Sequence, residues 1–279
     1  MILKKEFVLD LNNICTLGKN ICDFFCNNGQ YVVIKNYNNF INDKDITDTY
    51  EKLNNCIGKI VAVDLVKDTY KVSGNIWADV KYEYGSDEKQ FWRSSNHQNL
   101  HTDNTFCEIE NYGNLTQLVC FKPCEYSGNT TIISNDYLIE LIKYVDKNIN
   151  TNLYEKILNK EIYHSAGNDL YLKRKILEYN SKENKYIFCY NYFPAIRGKN
   201  TDENLEIIKE LNLFLEEKIM LSNLMDEVKL NRGDALIFND ERVLHGRKSF
   251  IGTRHYKKCA IQINDCSIYN FNELKLEKL

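Results

Sequence analysis

The strongest constraint on this chain lies in its last third, where short β-prone runs alternate with turns. Glu227–Leu230 leads into the turn Arg232-Gly233-Asp234, then Ala235–Phe238, and later Tyr256–Ile263. β-Branched and aromatic residues fill these runs, and Gly and Asp interrupt them, which is how short paired strands read. Leu115–Lys122, Thr130–Ser134, Leu170–Ile176 and Tyr186–Tyr190 have the same character, as do Tyr31–Ile34, Ile60–Leu65 and Ile76–Tyr84 nearer the start.

Helical spacing is confined to other stretches. Ile14, Leu17, Ile21 and Phe24 or Phe25 recur on one face until Asn27-Asn28-Gly29 stops the run. A second helix is predicted over Ile46–Cys56, ended by Gly58, and a third from an Asn135 cap to Val145. Thr201-Asp202 opens a longer one to about Met220, with Leu205, Ile208, Leu211, Leu215 and Ile219 on one stripe. Strands separated from helices in this way predict an α+β fold, with a mainly antiparallel core and helices packed outside it. No repeat or low-complexity linker divides the sequence, so residues 1–279 are expected to form a single domain.

Composition narrows the function. At 279 residues and 43% hydrophobic content the chain can bury a sizeable core. A net charge of −3 without a basic cluster gives no reason to expect nucleic acid as a partner. No run approaches the roughly 18 apolar residues of a membrane span. The N-terminal stretch carries Lys4, Lys5, Glu6 and Asp10 rather than a secretory leader. A soluble, cytoplasmic protein is expected. None of its ten cysteines forms a C-x-x-C pair, and the Cys22/Cys26 and Cys120/Cys124 spacings lack a second half-site. All ten are therefore expected to be free thiols.

Five histidines remain as candidates for chemistry: His97, His101, His164, His245 and His255. His101-Thr102-Asp103 is a His-x-Asp unit. On an extended strand its imidazole and carboxylate would point to one side and could share a divalent metal. His245, in Val243-Leu244-His245-Gly246-Arg247 after the Ala235–Phe238 run, is the best third ligand. Two imidazoles and one carboxylate leave three positions of iron open, as oxygen chemistry requires. Each residue alone also has a bland reading: a surface His beside a turn Asp, or a buried structural His. The polar run Ser94-Ser95-Asn96 argues against a helical His97/His101 metal pair, and His164, beside Ser165-Ala166-Gly167, is expected in a turn.

The ordered set Leu100-His101-Thr102-Asp103-Asn104-Thr105-Phe106, Ser127-Gly128-Asn129-Thr130-Thr131, Gly233-Asp234 to Phe238, Val243-Leu244-His245-Gly246-Arg247 and Arg254 resembles the taurine dioxygenase-like family. That family includes clavaminate synthase-like and amino-acid hydroxylases. The resemblance covers about residues 90–263, with a looser match at Gly29–Ile34. It implies a double-stranded β-helix, or jelly roll, with flanking helices. It also implies iron(II) on His101, Asp103 and His245, and 2-oxoglutarate and O2 as co-substrates. The far carboxylate of 2-oxoglutarate would lie on Arg254, helped by Thr130. A guanidinium offers a carboxylate two matched donors, and a hydroxyl adds a third. The carboxylate of Asp103 argues against halogenation, in which relatives leave that metal position to a halide.

By period two, Arg254, Tyr256 and Lys258 share one strand face, while His255 faces the other way. Lys258 is thus a candidate contact for an acidic group on the substrate, although relatives often have Arg there. Arg247 is a second candidate, or a residue that holds its loop. The expected reaction is hydroxylation of an unactivated C–H bond in a small amino acid or related carboxylate, free or carrier-bound, with release of succinate and CO2. Two other classes fit parts of the pattern. A zinc-dependent hydrolase could use the same three ligands but would need neither Arg254 nor O2. A non-catalytic jelly-roll binding protein would tolerate loss of Asp103. The sequence carries no signal for a particular oligomeric state.

Overall fold

The computed structural model describes residues 3–40, 42–61, 75–82, 93–103, 105, 112–167, 169–263, 266–268 and 276–279. Two antiparallel sheets form the core. The larger runs in the order Lys4–Val8, Tyr31–Lys35, Ala235–Asn239, Leu115–Lys122, His255–Gln262 and Lys59–Val61, with Ala78–Lys81 also on His255–Gln262. Only its edge pair, Lys4–Val8 with Tyr31–Lys35, is parallel. The smaller sheet runs Asp226–Val228, Thr130–Ser134, Val243–Arg247 and Gln98–His101.

Strand periodicity decides which residues face which layer. Leu118, Cys120, Leu236, Phe238 and Tyr256 of the larger sheet share an apolar interior with Ile132, Val228 and Val243 of the smaller one. Their alternates point outward. Val119, Phe121, Ala235, Ile237 and Ile261 pack against Leu17, Ile21 and Phe25 and against Ile46, Tyr50 and Leu53 of two N-terminal helices. On the opposite face Ile133 and Leu244 pack under the helices that carry Leu138, Ile142, Ile208 and Leu211. Two sheets closed on one interior, with helices covering both outer faces, make an α+β jelly roll.

The predicted strands Leu115–Lys122 and Thr130–Ser134 are found with the expected bounds. Ile60–Leu65 and Ile76–Tyr84 are seen as Lys59–Val61 and Ala78–Lys81, and residues 62–65 and 83–84 lie outside the described residues. The second helix starts earlier than expected, at Asp43, because Asn42 and Asp45 form a reciprocal capping box. The third runs on to Ile149 and is capped by Ser134 rather than Asn135: the Ser134 hydroxyl accepts from the Tyr137 N–H at 3.1 Å. Thr201 caps the long helix as predicted, but its last part, Leu215–Met220, widens into a π-helix. There Glu216 pairs with His97 at 2.6 Å.

Two expectations need correction. Cys26 and Cys266, 240 positions apart, are joined in a disulfide, so the cysteines are not all free. The bond ties the end of the first helix to the C-terminal segment, a proximity that spacing cannot reveal. Among the described residues Cys15, Cys22, Cys56, Cys120, Cys124, Cys189 and Cys259 are outside any disulfide; Cys107 is not described. His164 is not in a turn. It lies within the strand Glu161–Gly167, opposite Leu172, and is fully buried.

Neither ring nitrogen of His164 has a hydrogen-bond partner. Burial, with the nearby Arg174 charge adding to it, lowers its pKa to about 3. The folded state therefore holds this imidazole neutral, whereas the unfolded chain protonates it near the ordinary value of 6.5. The stability it contributes is complete above pH 6.5 and is lost as pH falls toward 3, by up to about 1.4 kcal/mol per pH unit. His164→Leu is expected to flatten that acid limb, read from denaturant midpoints at pH 7, 5 and 4. An unchanged slope would contradict a buried neutral histidine.

Candidate metal centre and anion pocket

His101 and His245 are brought together by strand register. The Gln98–His101 strand pairs with Val243–Arg247 so that the two histidines stand opposite each other, ring centroids 4.2 Å apart. The His101 Nδ1–H donates to the Asn99 carbonyl at 2.7 Å. That bond fixes the tautomer and leaves the Nε2 lone pair for a ligand. The Gln98 amide meets this Nε2 at 3.3 Å. His245 inserts its ring beside Phe238, centroids 4.3 Å apart. Burial first, then the neighbouring His101, drives its pKa well below the imidazole range, so His245 presents a neutral ring.

Asp103 is not on the strand, as the His-x-Asp reading supposed. It sits in a bend just after it. Its backbone N–H donates to both carboxylate oxygens of Asp240, at 2.8 and 3.0 Å. The Asp240 N–H in turn donates to the Asn114 carbonyl at 2.8 Å. So fixed, the Asp103 carboxylate lies 3.7 Å from His101 Nε2 and 3.5 Å from His245 Nε2. One ligand atom from each of the three residues falls within 4.8 Å of the others.

The carboxylate is held ionised. Burial raises its pKa, but the opposing influences, the Lys258 charge first among them, outweigh it and bring it well below the usual carboxylate range. The Thr116 hydroxyl donates to Oδ2 at 3.1 Å, and Lys258 Nζ pairs with Oδ1 at 2.6 Å. Two imidazoles and one ionised carboxylate form a donor set suited to iron(II).

Asp240, Thr116 and Gln98 did not figure among the sequence candidates. The one available signal was the polar run Asn239-Asp240-Glu241 between two core strands. Asp240 is a positioning residue, and Asp240→Asn is expected to weaken metal binding about 10- to 100-fold. Equilibrium dialysis against cobalt(II) measures this, and an unchanged affinity would mean that Asp103 needs no such anchor.

Arg254 and Arg247 lie together farther along the interior. Arg254 is 4% exposed, with its Cζ stacked 3.7 Å over the Tyr256 ring and its Nε without a hydrogen-bond partner. Among the described residues no carboxylate forms an ion pair with it. Arg247 donates to the carbonyls of Ser94 and Asn96 at 2.8 and 2.6 Å and stacks over Phe250, so it holds its loop. Burial, then the adjacent Arg254 charge, lowers its pKa to about 9. Thr130 is the strand partner of Arg247 and is buried beside it. Two buried guanidiniums side by side call for an anion. His255 points away, to Asp79 at 2.7 Å, as predicted.

Residues 47–260 match the family described as taurine catabolism dioxygenase TauD, TfdA family. The chain belongs to this family. A search of curated protein sequences found no match. Solved structures share the fold at low identity. An asparagine oxygenase in complex with Fe(II), 2S,3S-3-hydroxyasparagine and succinate is 12% identical, with a TM-score of 0.66 over 92% of this chain and 93% of that one. The non-heme iron oxygenase OrfP in complex with Fe and alpha-ketoglutaric acid is 12% identical, with a TM-score of 0.60 over 92% and 93%. PvcB from Pseudomonas aeruginosa is 14% identical, with a TM-score of 0.59 over 88% and 82%. In this TauD/TfdA-family chain no helix among the described residues is long and apolar enough to cross a membrane.

Proposed function

We propose that this TauD/TfdA-family chain is a single-domain iron(II)- and 2-oxoglutarate-dependent dioxygenase that hydroxylates a C–H bond of a small amino acid or related carboxylate, free or carrier-bound. The observation that carries the proposal is the pairing of the His101/Asp103/His245 donor set with Arg254, buried and without a carboxylate partner among the described residues, in the same barrel interior. A zinc hydrolase would leave that guanidinium without a purpose. Relatives of similar fold are solved with hydroxylated asparagine and with (3S)-hydroxy-L-Arg, which supports an amino acid as substrate.

In this reading His101, Asp103 and His245 hold iron(II). When bound with 2-oxoglutarate, the metal supplies the oxidising chemistry that puts one oxygen atom of O2 into the substrate and the other into succinate, as CO2 leaves. The protein's own work is positional. Arg254 receives the far carboxylate of the co-substrate, Thr130 adds a hydroxyl donor, and Tyr256 backs the guanidinium. Lys258 is the candidate contact for a substrate carboxylate. The apolar interior of Leu118, Leu236, Phe238 and Val243 keeps water from the reacting centre. A cytoplasmic location is part of the proposal, supported by seven cysteines outside any disulfide against one disulfide among the described residues.

The test is turnover. The purified protein is supplied with iron(II), ascorbate, 2-oxoglutarate and a panel of amino acids. Succinate release that depends on O2 and rises with one panel member, together with a product 16 mass units heavier, is the expected result. Turnover of a panel member that persists without O2 or without 2-oxoglutarate would overturn it.

A further inference from the structure

The contact between Lys258 and Asp103 is not explained by metal binding or by co-substrate capture. Lys258 lies on the His255–Gln262 strand between Ala78 and Leu118, and its ammonium reaches the metal-ligand carboxylate at 2.6 Å. Both groups are largely buried, with side-chain exposures of 15% and 12%. Thr116 occupies the other carboxylate oxygen. Asp240, the other acidic group beside this site among the described residues, accepts from the Asp103 backbone N–H and lies 4.0 Å from His245 Nδ1. The single negative charge of Asp103 is therefore already matched by one positive charge before any metal arrives.

The formal charges follow simply. Asp103 and Lys258 sum to zero, and a divalent cation on the two imidazoles takes this ion pair and its metal to +2. A carboxylate from the co-substrate lowers it to +1, and a second, from the substrate, restores zero. Like charges this close in a poorly hydrated interior repel strongly.

We propose that Lys258 is the resident counter-ion of Asp103 in the metal-free protein, competes with the metal for that carboxylate, and is released by metal entry to bind an incoming carboxylate. Lys258 thereby couples metal binding to the binding of anionic ligands. By reciprocity, a carboxylate ligand that engages the released ammonium tightens the metal. This rests on the metal-site reading above and adds the order of events: metal first, then the anions.

The experiment is anaerobic calorimetric titration of the full chain with cobalt(II) in the absence of 2-oxoglutarate. Wild type, Lys258→Met, Lys258→Arg and His245→Ala are compared. Lys258→Met, which keeps most of the volume and removes the charge, is expected to bind cobalt(II) about 5- to 150-fold more tightly than wild type. Lys258→Arg keeps the charge and should stay near wild type. As a second readout, the rise in Tm on saturation with cobalt(II) should be larger in Lys258→Met, because its metal-free form leaves Asp103 unpaired. Equal or weaker cobalt(II) binding by Lys258→Met, with a cooperative melt, would overturn the inference and make Lys258 a support for the ligand. If wild type and His245→Ala bind cobalt(II) equally poorly, the metal-site reading itself fails and takes this inference with it.

Discussion

Replacing His245 with alanine is expected to weaken cobalt(II) or iron(II) binding by more than about 100-fold, because disturbing outer-shell partners alone costs about 10- to 100-fold and this change removes a ligand. The variant should still fold. His245 Nδ1 makes no hydrogen bond among the described residues, and the Asp103 carboxylate near Nε2 keeps Lys258 and Thr116 as partners after truncation. The apolar interior around Phe238 and Val243 stays in place. His101→Ala should behave alike, and the double variant should lose little further turnover, since three ligands act as one unit. Equilibrium dialysis and a melting curve on the same samples separate loss of metal from loss of fold. Metal affinity that survives His245→Ala within about tenfold of wild type would place the ion elsewhere.

Arg254→Met is expected to raise the Kd for 2-oxoglutarate by about 30-fold or more, the cost of leaving one partner of a buried charge pair alone, about 2–5 kcal/mol. Metal affinity should change far less, because Arg254 lies just before the His255–Gln262 strand, four residues from Lys258, roughly 13 Å at about 3.3 Å per residue. Arg254→Lys should recover only part of the loss, since an ammonium does not match the two-pronged geometry of a carboxylate. Arg247→Met is a useful contrast. Its guanidinium is committed to the carbonyls of Ser94 and Asn96, so its loss should appear as lowered stability before it appears as weaker co-substrate binding. Binding of 2-oxoglutarate measured by calorimetry on the cobalt(II)-loaded protein distinguishes the two.

Much of the candidate site could be read from the chain alone because its proposed ligands occupy positions with strong local signatures. His245 and Arg254 flank a short strand–turn region, and the period-two alternation of residues 254–258 correctly brings Lys258 to the interior. The Leu115–Lys122 and Thr130–Ser134 strands were legible because β-branched runs there end abruptly at polar residues. What the sequence did not reveal depends on tertiary approach. Asp240 anchors Asp103 through a backbone amide 137 positions away, and no local pattern announces such a bond. The Cys26–Cys266 bridge joins positions 240 apart for the same reason. Asp103 leaves the strand because its backbone N–H is taken by a carboxylate rather than by a neighbouring strand. His164 reads as a turn residue because Ser165-Ala166-Gly167 has turn composition, yet pairing with Leu170–Lys175 holds it in a strand.

The most direct measurement is an anaerobic titration of the wild-type protein with iron(II) followed by 2-oxoglutarate, monitored by visible absorption. The account predicts a weak charge-transfer band that appears only when both are present, saturates at one equivalent of iron, and is absent in His245→Ala. A protein that binds 2-oxoglutarate without developing the band, or that develops it unchanged in His245→Ala, would contradict the assignment of His101, Asp103 and His245 as the metal centre.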